Sequence, residues 1–280
     1  MKFANLHLHS TYSDAQFTPE QLLLIGKALG YSAMALTDHE TDGGCKEFAA
    51  LAHSLDVDTL NGVEFYGLVD GINVHLTALD FDPQEPELRT FIQMRCELQK
   101  EFTRNCVERG IRLGHIQGMT WNDVLEYAPD HAWLCIDSVM RVMQIKKLVP
   151  ADHDWEAFRK NVFKGPEINQ YRQPKPDAYE VIRRVRKAGG VIALAHPAKQ
   201  TYLVEKLVGY GLNGIEICHP HVDETDSKLA QEAAEAFKLY RCGGTDHTGP
   251  MSGCGGSNAI PAFHGIDAED YYILKERKLG

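Results

Sequence analysis

The sequence lacks the features of membrane, secreted and disulfide-bonded proteins. None of its apolar runs approaches the roughly 18 residues that a membrane-spanning helix needs. The opening residues, MKFANLHLHS, have neither the basic start nor the apolar stretch of a signal peptide. The seven cysteines form no C-x-x-C pair, which argues against both a disulfide framework and a thiolate zinc site. We therefore expect a protein of the reducing cytoplasm.

Positive charge is also scarce in this sequence. The 280 residues include 29 Lys and Arg against 39 Asp and Glu, a formal net charge of −10. This balance argues against broad, non-specific binding of nucleic acid, which depends on neutralising many phosphates. An anionic substrate stays compatible with it, because bound divalent cations can reverse the sign of the field inside one pocket.

Short apolar runs of strand length alternate with helical patterns along the chain. This alternation indicates parallel βαβ units and an α/β fold. A helix is predicted to begin at Thr18-Pro19-Glu20-Gln21, with an N-cap, a proline at the first helical position and a capping-box glutamine. Further helices are predicted over Asp177–Ala188 and Ser227–Leu239. The predicted strands are Phe3–Leu8, Ala33–Thr37, Thr59–Glu64, Asn73–Leu79, Val191–Ala195, Gly214–Cys218 and Tyr240–Gly243.

Seven strands are one fewer than a closed TIM barrel has, so they favour a seven-stranded or irregular barrel. An open doubly wound sheet is the alternative, but it would need a glycine-rich phosphate loop after the first strand. The sequence there reads HLHSTYSDA. Residues 85–175 interrupt the alternation with helix-forming sequence that holds no convincing strand. We interpret residues 1–84 and 176–280 as the barrel, and residues 85–175 as a helical subdomain inserted between the fourth and fifth strands.

Histidines and acids cluster where the predicted strands end. Such residues converge on one face of an α/β barrel, where catalytic sites lie. One histidine fits this pattern less well, because His75 lies early in its strand. Apolar residues are usual at such positions in a barrel without a site, and burying unpaired titratable groups costs several kcal/mol each. The candidates are His7, His9, Asp14, Asp38-His39, Glu64, His75, His196 and Asp246-His247.

Imidazole and carboxylate ligands without thiolates suit Mn²⁺, Zn²⁺ or Fe²⁺. The candidate set exceeds the four to six positions around one ion, so we expect two or three metal ions. Clustered divalent ions without a redox cofactor are suited to hydrolysis: they lower the pKa of a bound water and polarise a phosphoryl or carbonyl oxygen.

These residues together resemble the polymerase-and-histidinol-phosphatase (PHP) family of metal-dependent phosphoesterases. The resemblance implies a distorted, TIM-like seven-stranded (β/α) barrel with up to three metal ions. It implies that His7, His9, Glu64 and Asp246 hold one ion, that Glu64 bridges to a second ion completed by His75 and His196, and that Asp14 and His39 hold the third. The matching motifs are His7-Leu8-His9-Ser10-Thr11-Tyr12-Ser13-Asp14, Thr37-Asp38-His39, Gly62-Val63-Glu64, Ala195-His196-Pro197 and Gly243-Gly244-Thr245-Asp246.

The last motif departs from the family pattern. Asp-x-His is usual, whereas Asp246 is followed directly by His247 and then by Thr248. His247 remains the candidate for the last ligand of the third ion, but a shift of one residue along a strand turns a side chain to the opposite face. We therefore expect the third ion to be the least secure.

The helical insert resembles the branch of the family that hydrolyses phosphomonoesters of small nucleotides, including 3′,5′-bisphosphates. An insert at this place in the fold can cap the metal face and supply a phosphate clamp. Arg141 is our candidate for the clamp, because arginine binds phosphate bidentately. His219, which follows the sixth strand with His221, is a candidate for substrate contact or leaving-group protonation. Competitors for the clamp are Arg89, Arg95, Arg172 and Lys175.

The sequence thus predicts a cytoplasmic, metal-dependent phosphatase in which a metal-bound hydroxide attacks a small phosphorylated metabolite. A nucleotide such as a 3′,5′-bisphosphate is the favoured substrate. One alternative is a nuclease that trims oligonucleotides from the 5′ end, which would need a basic track. Another is a catalytically idle, metal-binding regulatory barrel. Amidohydrolase chemistry is a weaker third. Short nucleic acid is a less favoured partner than a small phosphorylated substrate, and nothing indicates a membrane or protein partner.

Overall fold

The computed structural model describes residues 3–150, 152–249 and 264–279. Part of the predicted barrel, residues 1–2, 250–263 and 280, therefore lies outside the described residues. Seven strands form one sheet in chain order. Backbone hydrogen bonds from Leu6 N–H to Gly243 O (3.0 Å) and from Asp246 N–H to His7 O (2.9 Å) join its two ends. The sheet is a nearly closed barrel, which confirms the predicted fold class. The strands are β1 (Ala4–Asn5), β2 (Ala33–Leu36), β3 (Asp58–Val69), β4 (Ile72–Leu79), β5 (Val191–Leu194), β6 (Gly214–Cys218) and β7 (Tyr240–Gly243).

The expectation of parallel units is wrong for β4. This strand pairs antiparallel with both β3 and β5, whereas the other neighbouring pairs are parallel. The cause is the connection between β3 and β4, which consists of Asp70 and Gly71 alone. Both residues have positive φ, 51° and 78°, as a type I′ turn requires. A two-residue turn can join only antiparallel strands, so β4 runs back along β3.

Helices surround the barrel, and their boundaries follow local signals. The predicted capping box at α1 is confirmed: Thr18 Oγ1 accepts from Gln21 N–H at 3.2 Å, and Gln21 Oε1 accepts from Thr18 N–H at 2.9 Å. These bonds satisfy backbone donors that the first helical turn leaves free. The helices outside residues 85–175 are α1 (Pro19–Ala28), α2 (Cys45–Ser54), α8 (Ala178–Lys187), α9 (Val204–Gly209), α10 (Glu224–Phe237) and α11 (Ala268–Lys275).

Residues 85–175 contain helices and, among their described members, no strand. The first of these helices, α3 (Pro86–Arg112), crosses from the barrel into the insert. Its Phe91 packs in a core shared with β3 and α8, and its Phe102 packs in a separate core made of insert residues. That these residues form a distinct subdomain stays our interpretation. Within the described ranges, no helix combines the length and apolar character needed to cross a bilayer. The insert helices are α3 (Pro86–Arg112), α4 (Trp121–Tyr127), α5 (Ile136–Ile145), α6 (Trp155–Phe163) and α7 (Pro166–Asn169).

Candidate metal centre and adjoining cavity

The structure brings eight of the nine predicted metal ligands together at one end of the barrel, in three groups. Within each group the potential ligand atoms lie within 4.8 Å of one another. The side chains of the first and third groups are buried, and those of the second are buried or half-buried. The first group is His7, His9, Glu64 and Asp246, the second is Glu64, His75 and His196, and the third is His9, Asp14 and His39.

The first group forms where β1 and β7 end side by side. His7 and His9 are two residues apart, so both rings turn to the same face, and their Nε2 atoms are 3.2 Å apart. His9 Nε2 lies 3.0 Å from Asp246 Oδ1 and 3.4 Å from Glu64 Oε2. Asp246 has a φ of 47°, a left-handed conformation that costs an aspartate about 1–3 kcal/mol and often marks a functional site.

The second group depends on the antiparallel β4. His75 lies near the start of this strand, and because β4 is reversed, its start lies beside the end of β5. His196 lies two residues after the end of β5, and its Nε2 lies 3.1 Å from His75 Nδ1. Glu64 Oε1 lies 2.9 Å from His75 Nδ1 and 3.1 Å from His196 Nε2. The placement of His75, which the parallel expectation left unexplained, thus has a direct topological cause.

The third group forms around His39. Its Nδ1 lies 3.0 Å from Glu64 Oε2, and its Nε2 lies 3.6 Å from Asp14 Oδ2. His247 belongs to none of the groups found among the described residues. Its buried ring stacks on Phe17 at 5.3 Å instead. The one-residue displacement in the last motif therefore turns the side chain away from the other candidates.

The contacts within the groups fit divalent ions. His39 Nδ1 and Glu64 Oε2 are buried atoms without a hydrogen-bond partner, although they approach one another closely. Buried polar atoms in proteins nearly always have a partner, and a cation held at Glu64 would satisfy its free oxygen. Ring nitrogens of His7 and His9 also lie close together, as do those of His75 and His196. A cation beside each pair could accept the lone pairs of both nitrogens. The chain thus carries several clusters able to bind metal.

Burial and charge strongly perturb these groups. Burial and the neighbouring His39 both act to lower the pKa of His9, but contacts with Asp246 and Glu64 raise it to about 10. Burial acts to raise the pKa of Glu64, and the imidazoles of His75 and His39 outweigh it and hold that pKa well below its ordinary value. Burial lowers the pKa of His75. Such mutually perturbed groups are concentrated at functional sites.

Two further residues complete the centre. Glu216 of β6 is fully buried and accepts a hydrogen bond from His7 Nδ1–H at 2.6 Å; our reading of the sequence missed it, although an isolated acid in the apolar strand GIEIC signals a buried partner. His219, a predicted substrate contact, lies with Nε2 3.4 Å from Asp246 Oδ2. Its Nδ1 accepts from His221 N–H at 3.0 Å, so its Nε2 carries the proton in the neutral ring.

A cavity of about 400 Å³ opens beside the metal groups. Tyr66 and Trp133 line it and also contact His39, with ring centroids 5.0 Å and 5.3 Å from the imidazole. The single acid in its described lining, Glu40, forms a buried bidentate pair with Arg95 at 2.8 Å and 3.1 Å. The cavity is therefore basic on balance. Its cationic residues are Arg95, Arg159, Lys164, Arg172 and Lys175.

Arg141 does not lie in this cavity. Its Nη1 donates to Thr11 O at 3.3 Å and its Nη2 donates to Ala15 O at 2.6 Å. These bonds tie α5 to the loop that carries Asp14, while Arg141 Nε is a buried atom without a hydrogen-bond partner. The role of Arg141 as a phosphate clamp stays a prediction. Of its competitors for the clamp, Arg95, Arg172 and Lys175 do line the cavity, whereas Arg89 bonds to Gln84 at the surface.

Comparison with known proteins agrees with this geometry. The model of the PHP domain matches residues 5–245. The chain is 28% identical to a phosphoribosyl 1,2-cyclic phosphate 1,2-diphosphodiesterase of Eggerthella lenta, over 88% of this chain and 94% of the relative. It is 27% identical to a 3′,5′-nucleoside bisphosphate phosphatase of Chromobacterium violaceum, over 89% of this chain and 88% of the relative. It is 25% identical to a 5′-3′ exoribonuclease of Haemophilus influenzae, over 86% of this chain and 88% of the relative.

Solved structures show the same fold. A structure from Bifidobacterium adolescentis, described as a metal-dependent phosphoesterase, superimposes with a TM-score of 0.79 at 22% identity, covering 99% of this chain and 96% of the other. A Chromobacterium violaceum structure described as an amidohydrolase with bound sulfate gives a TM-score of 0.76 at 22% identity, covering 98% and 96%. At this identity the likeness concerns the fold.

Proposed function

The chain belongs to the PHP-domain family, and from that premise we propose that it is a metal-dependent phosphoesterase that removes phosphate from a small phosphorylated nucleotide. Its curated relatives act, by their names, on a cyclic phosphate, a nucleoside bisphosphate and RNA. The chemistry they share is cleavage of a phosphate ester, which suits the clustered imidazoles and carboxylates of this chain.

The observation that carries the proposal is the basic cavity beside the metal groups. Its volume of about 400 Å³ lies near the lower end of the 300–1,000 Å³ range of small-ligand pockets. Cations that lie away from the metal groups suit a second phosphate, which a 3′,5′-bisphosphate carries and a simple monophosphate lacks. Aromatic walls suit the stacking of a nucleobase. The aromatic lining residues are Tyr66, Phe102, Trp133 and Phe163.

The chain's own side chains divide the work of binding. Arg159 has a buried Nε without a hydrogen-bond partner, so it can donate to a phosphate oxygen without breaking an existing bond. Lys175 packs over the Tyr66 ring at 4.7 Å, at the boundary between the cavity and the metal groups. His219 presents a proton at Nε2 beside Asp246, where it can donate to a substrate oxygen.

The insert caps the site through contacts with the loops that follow β1 and β2. Trp133 N–H donates to Tyr12 O at 2.7 Å, and Thr41 Oγ1 donates to His131 O at 2.7 Å. These bonds fix Trp133 against His39. The insert thus supplies a wall of the cavity and limits the access of water to the reacting phosphate.

We propose that two ions would be held, one by the first group and one by the second, with Glu64 shared between the two groups. The third group borrows His9 from the first, and one imidazole cannot readily offer lone pairs on both nitrogens. The nitrogen and oxygen ligands suit Mn²⁺, Zn²⁺ or Fe²⁺. When bound, such ions lower the pKa of a coordinated water and neutralise charge on the phosphoryl group.

The experiment that tests the function is phosphate release by Mn²⁺-loaded protein from a panel of substrates: nucleoside monophosphates, 3′,5′-bisphosphates, histidinol phosphate, sugar phosphates and a short 5′-phosphorylated RNA. We expect turnover of a small nucleotide that Glu64→Gln abolishes. Glu108→Gln, the same change at an exposed glutamate of α3, is the matched control and should keep full turnover. Bound metal without turnover of any panel member would refute the phosphatase function and favour the regulatory barrel.

A 5′-end nuclease is the second candidate. The exoribonuclease relative matches nearly the full length of this chain, and the cavity rim carries Lys164, Arg172 and Lys175, whose side chains are exposed. An exposed basic rim can follow the backbone of a longer strand. Release of mononucleotides from the 5′-phosphorylated RNA at a rate above that of any small substrate would decide for this candidate.

A further inference from the structure

Glu216 contacts both proposed metal groups without belonging to either. We infer that Glu216 is a positioning residue that orients His7 of the first group and His196 of the second through its two carboxylate oxygens. This inference rests on the metal sites of the proposed function. Glu216 lies in β6 with 0% exposure, and buried carboxylates persist in proteins where their oxygens are satisfied by donors.

The first oxygen selects the tautomer of His7. Oε1 accepts from His7 Nδ1–H at 2.6 Å, and in a neutral imidazole the other nitrogen then bears the lone pair. That nitrogen, Nε2, lies 3.2 Å from His9 Nε2 and 3.5 Å from Glu64 Oε1. The lone pair of His7 is thereby aimed into the first group, as in the carboxylate–histidine–metal arrangements of known metal sites.

The second oxygen fixes the backbone of His196. Oε2 accepts from His196 N–H at 2.7 Å, at a residue whose φ of 31° lies in the left-handed region. A strained backbone of this kind persists only when its surroundings hold it. The ring that leaves this backbone reaches Glu64 Oε1 and His75 Nδ1, each at 3.1 Å. One buried side chain therefore determines the placement of a ligand in each group.

Glu216 also lies near His7 and His219 in an arrangement that could itself suggest an ion. The hydrogen bonds argue against that reading. His7 Nδ1 is already bonded to Glu216, and His219 Nδ1 accepts from His221 N–H. The nitrogen of His219 that remains, Nε2, faces Asp246. Glu216 thus acts on the metal groups through its neighbours.

Glu216→Gln is the direct test, because glutamine has the same shape but only one acceptor oxygen. Its amide NH₂ must face either His7, which forces the wrong tautomer, or His196 N–H, which places two donors together. Either orientation disturbs one group, and Glu64, shared by both groups, carries that disturbance to the other. We expect both Mn²⁺-binding steps, measured by calorimetry, to weaken about 10- to 100-fold, while the metal-free variant keeps its fold by circular dichroism.

Thr77→Val is the matched control. The Thr77 hydroxyl donates to Glu216 Oε1 at 3.3 Å, so the valine variant removes a buried contact of Glu216 and leaves both positioning bonds intact. Its Mn²⁺ affinity should stay close to that of the wild type. Unchanged affinity in Glu216→Gln, or weakening confined to one step, would overturn the inference. Wild-type protein that binds no divalent ion would instead refute the metal sites and with them the proposed function.

A second measurement does not depend on the folding of a variant. In ¹⁵N-histidine-labelled wild-type protein loaded with diamagnetic Zn²⁺, nuclear magnetic resonance identifies which ring nitrogen of His7 carries the proton. We expect Nδ1–H. A proton on Nε2 would overturn the role assigned to Glu216, whatever the Gln variant shows.

Discussion

Substitution of Arg159 tests whether the basic cavity recognises a second phosphate. Arg159 lines the cavity, and its buried Nε has no hydrogen-bond partner, whereas Arg95 in the same cavity is neutralised by Glu40. A hydrogen bond to a charged group contributes about 1.5–3 kcal/mol, and 1.36 kcal/mol corresponds to a tenfold change in rate. Arg159→Met should therefore lower kcat/KM for a nucleoside 3′,5′-bisphosphate by about 10- to 100-fold.

The assay compares kcat/KM for the bisphosphate with kcat/KM for the corresponding monophosphates. The loss should be confined to the bisphosphate, because only that substrate places a phosphate in the cavity while another is cleaved. Arg104→Met is the matched control: Arg104 is an exposed residue of α3 that pairs with Glu108 at 2.7 Å, and its loss should leave every substrate unaffected. Equal losses on all substrates, or no loss on the bisphosphate, would refute the reasoning.

Three further outcomes are expected. Arg95→Met should lower the free energy of unfolding in urea by about 3–5 kcal/mol, because it leaves Glu40 buried without its partner; a loss below about 1 kcal/mol, as for an exposed pair, would contradict this. Chelation should lower the melting temperature and Mn²⁺ should restore it, since an ion at 100 times its Kd stabilises a protein by about 2.7 kcal/mol; a melting temperature insensitive to chelator would argue against resident metal. His75→Ala should reduce the metal content found by elemental analysis from two ions per chain to one, and retention of both would place the second ion elsewhere.

The barrel could be predicted because its signals are local. Most strands are short apolar runs, and in β2 alternate residues face different cores: Ala33 and Ala35 pack with the C-terminal helix α11, while Met34 and Leu36 pack toward α1. The direction of β4 was missed although the signal was present. Asp-Gly between two strands is a strong hairpin signal, and it would have placed His75 at the metal end of the barrel from sequence alone.

The metal groups could be predicted for a related reason. Most of their residues follow the ends of predicted strands, so the topology of a barrel brings them together without any knowledge of side-chain packing. In the structure Glu64 lies within the longer β3, and His75 lies near the start of the reversed β4. Glu216 was missed because it lies inside the predicted strand Gly214–Cys218, whereas Glu64 ends the predicted strand Thr59–Glu64. The function of Glu216 also depends on which oxygen meets which donor. His247 shows the same limit: the sequence indicates a displaced residue, but only the packing against Phe17 shows where the ring goes.

The cavity could not be predicted, because no spacing rule connects the residues that line it. Arg95 comes from α3, Arg159 from α6 and Lys175 from the segment that returns to the barrel, so their charges meet only through the packing of the insert helices. Arg141 looked equally suitable in sequence, yet it lies outside the described lining of this cavity, and its guanidinium bonds to the loop that carries Asp14. In the function we propose, a barrel fixed by local signals would supply the hydrolytic chemistry, and the long-range packing of the insert would select the phosphorylated molecule that reaches it. Substrate preference in this chain should accordingly change with substitutions in the insert that leave metal binding intact.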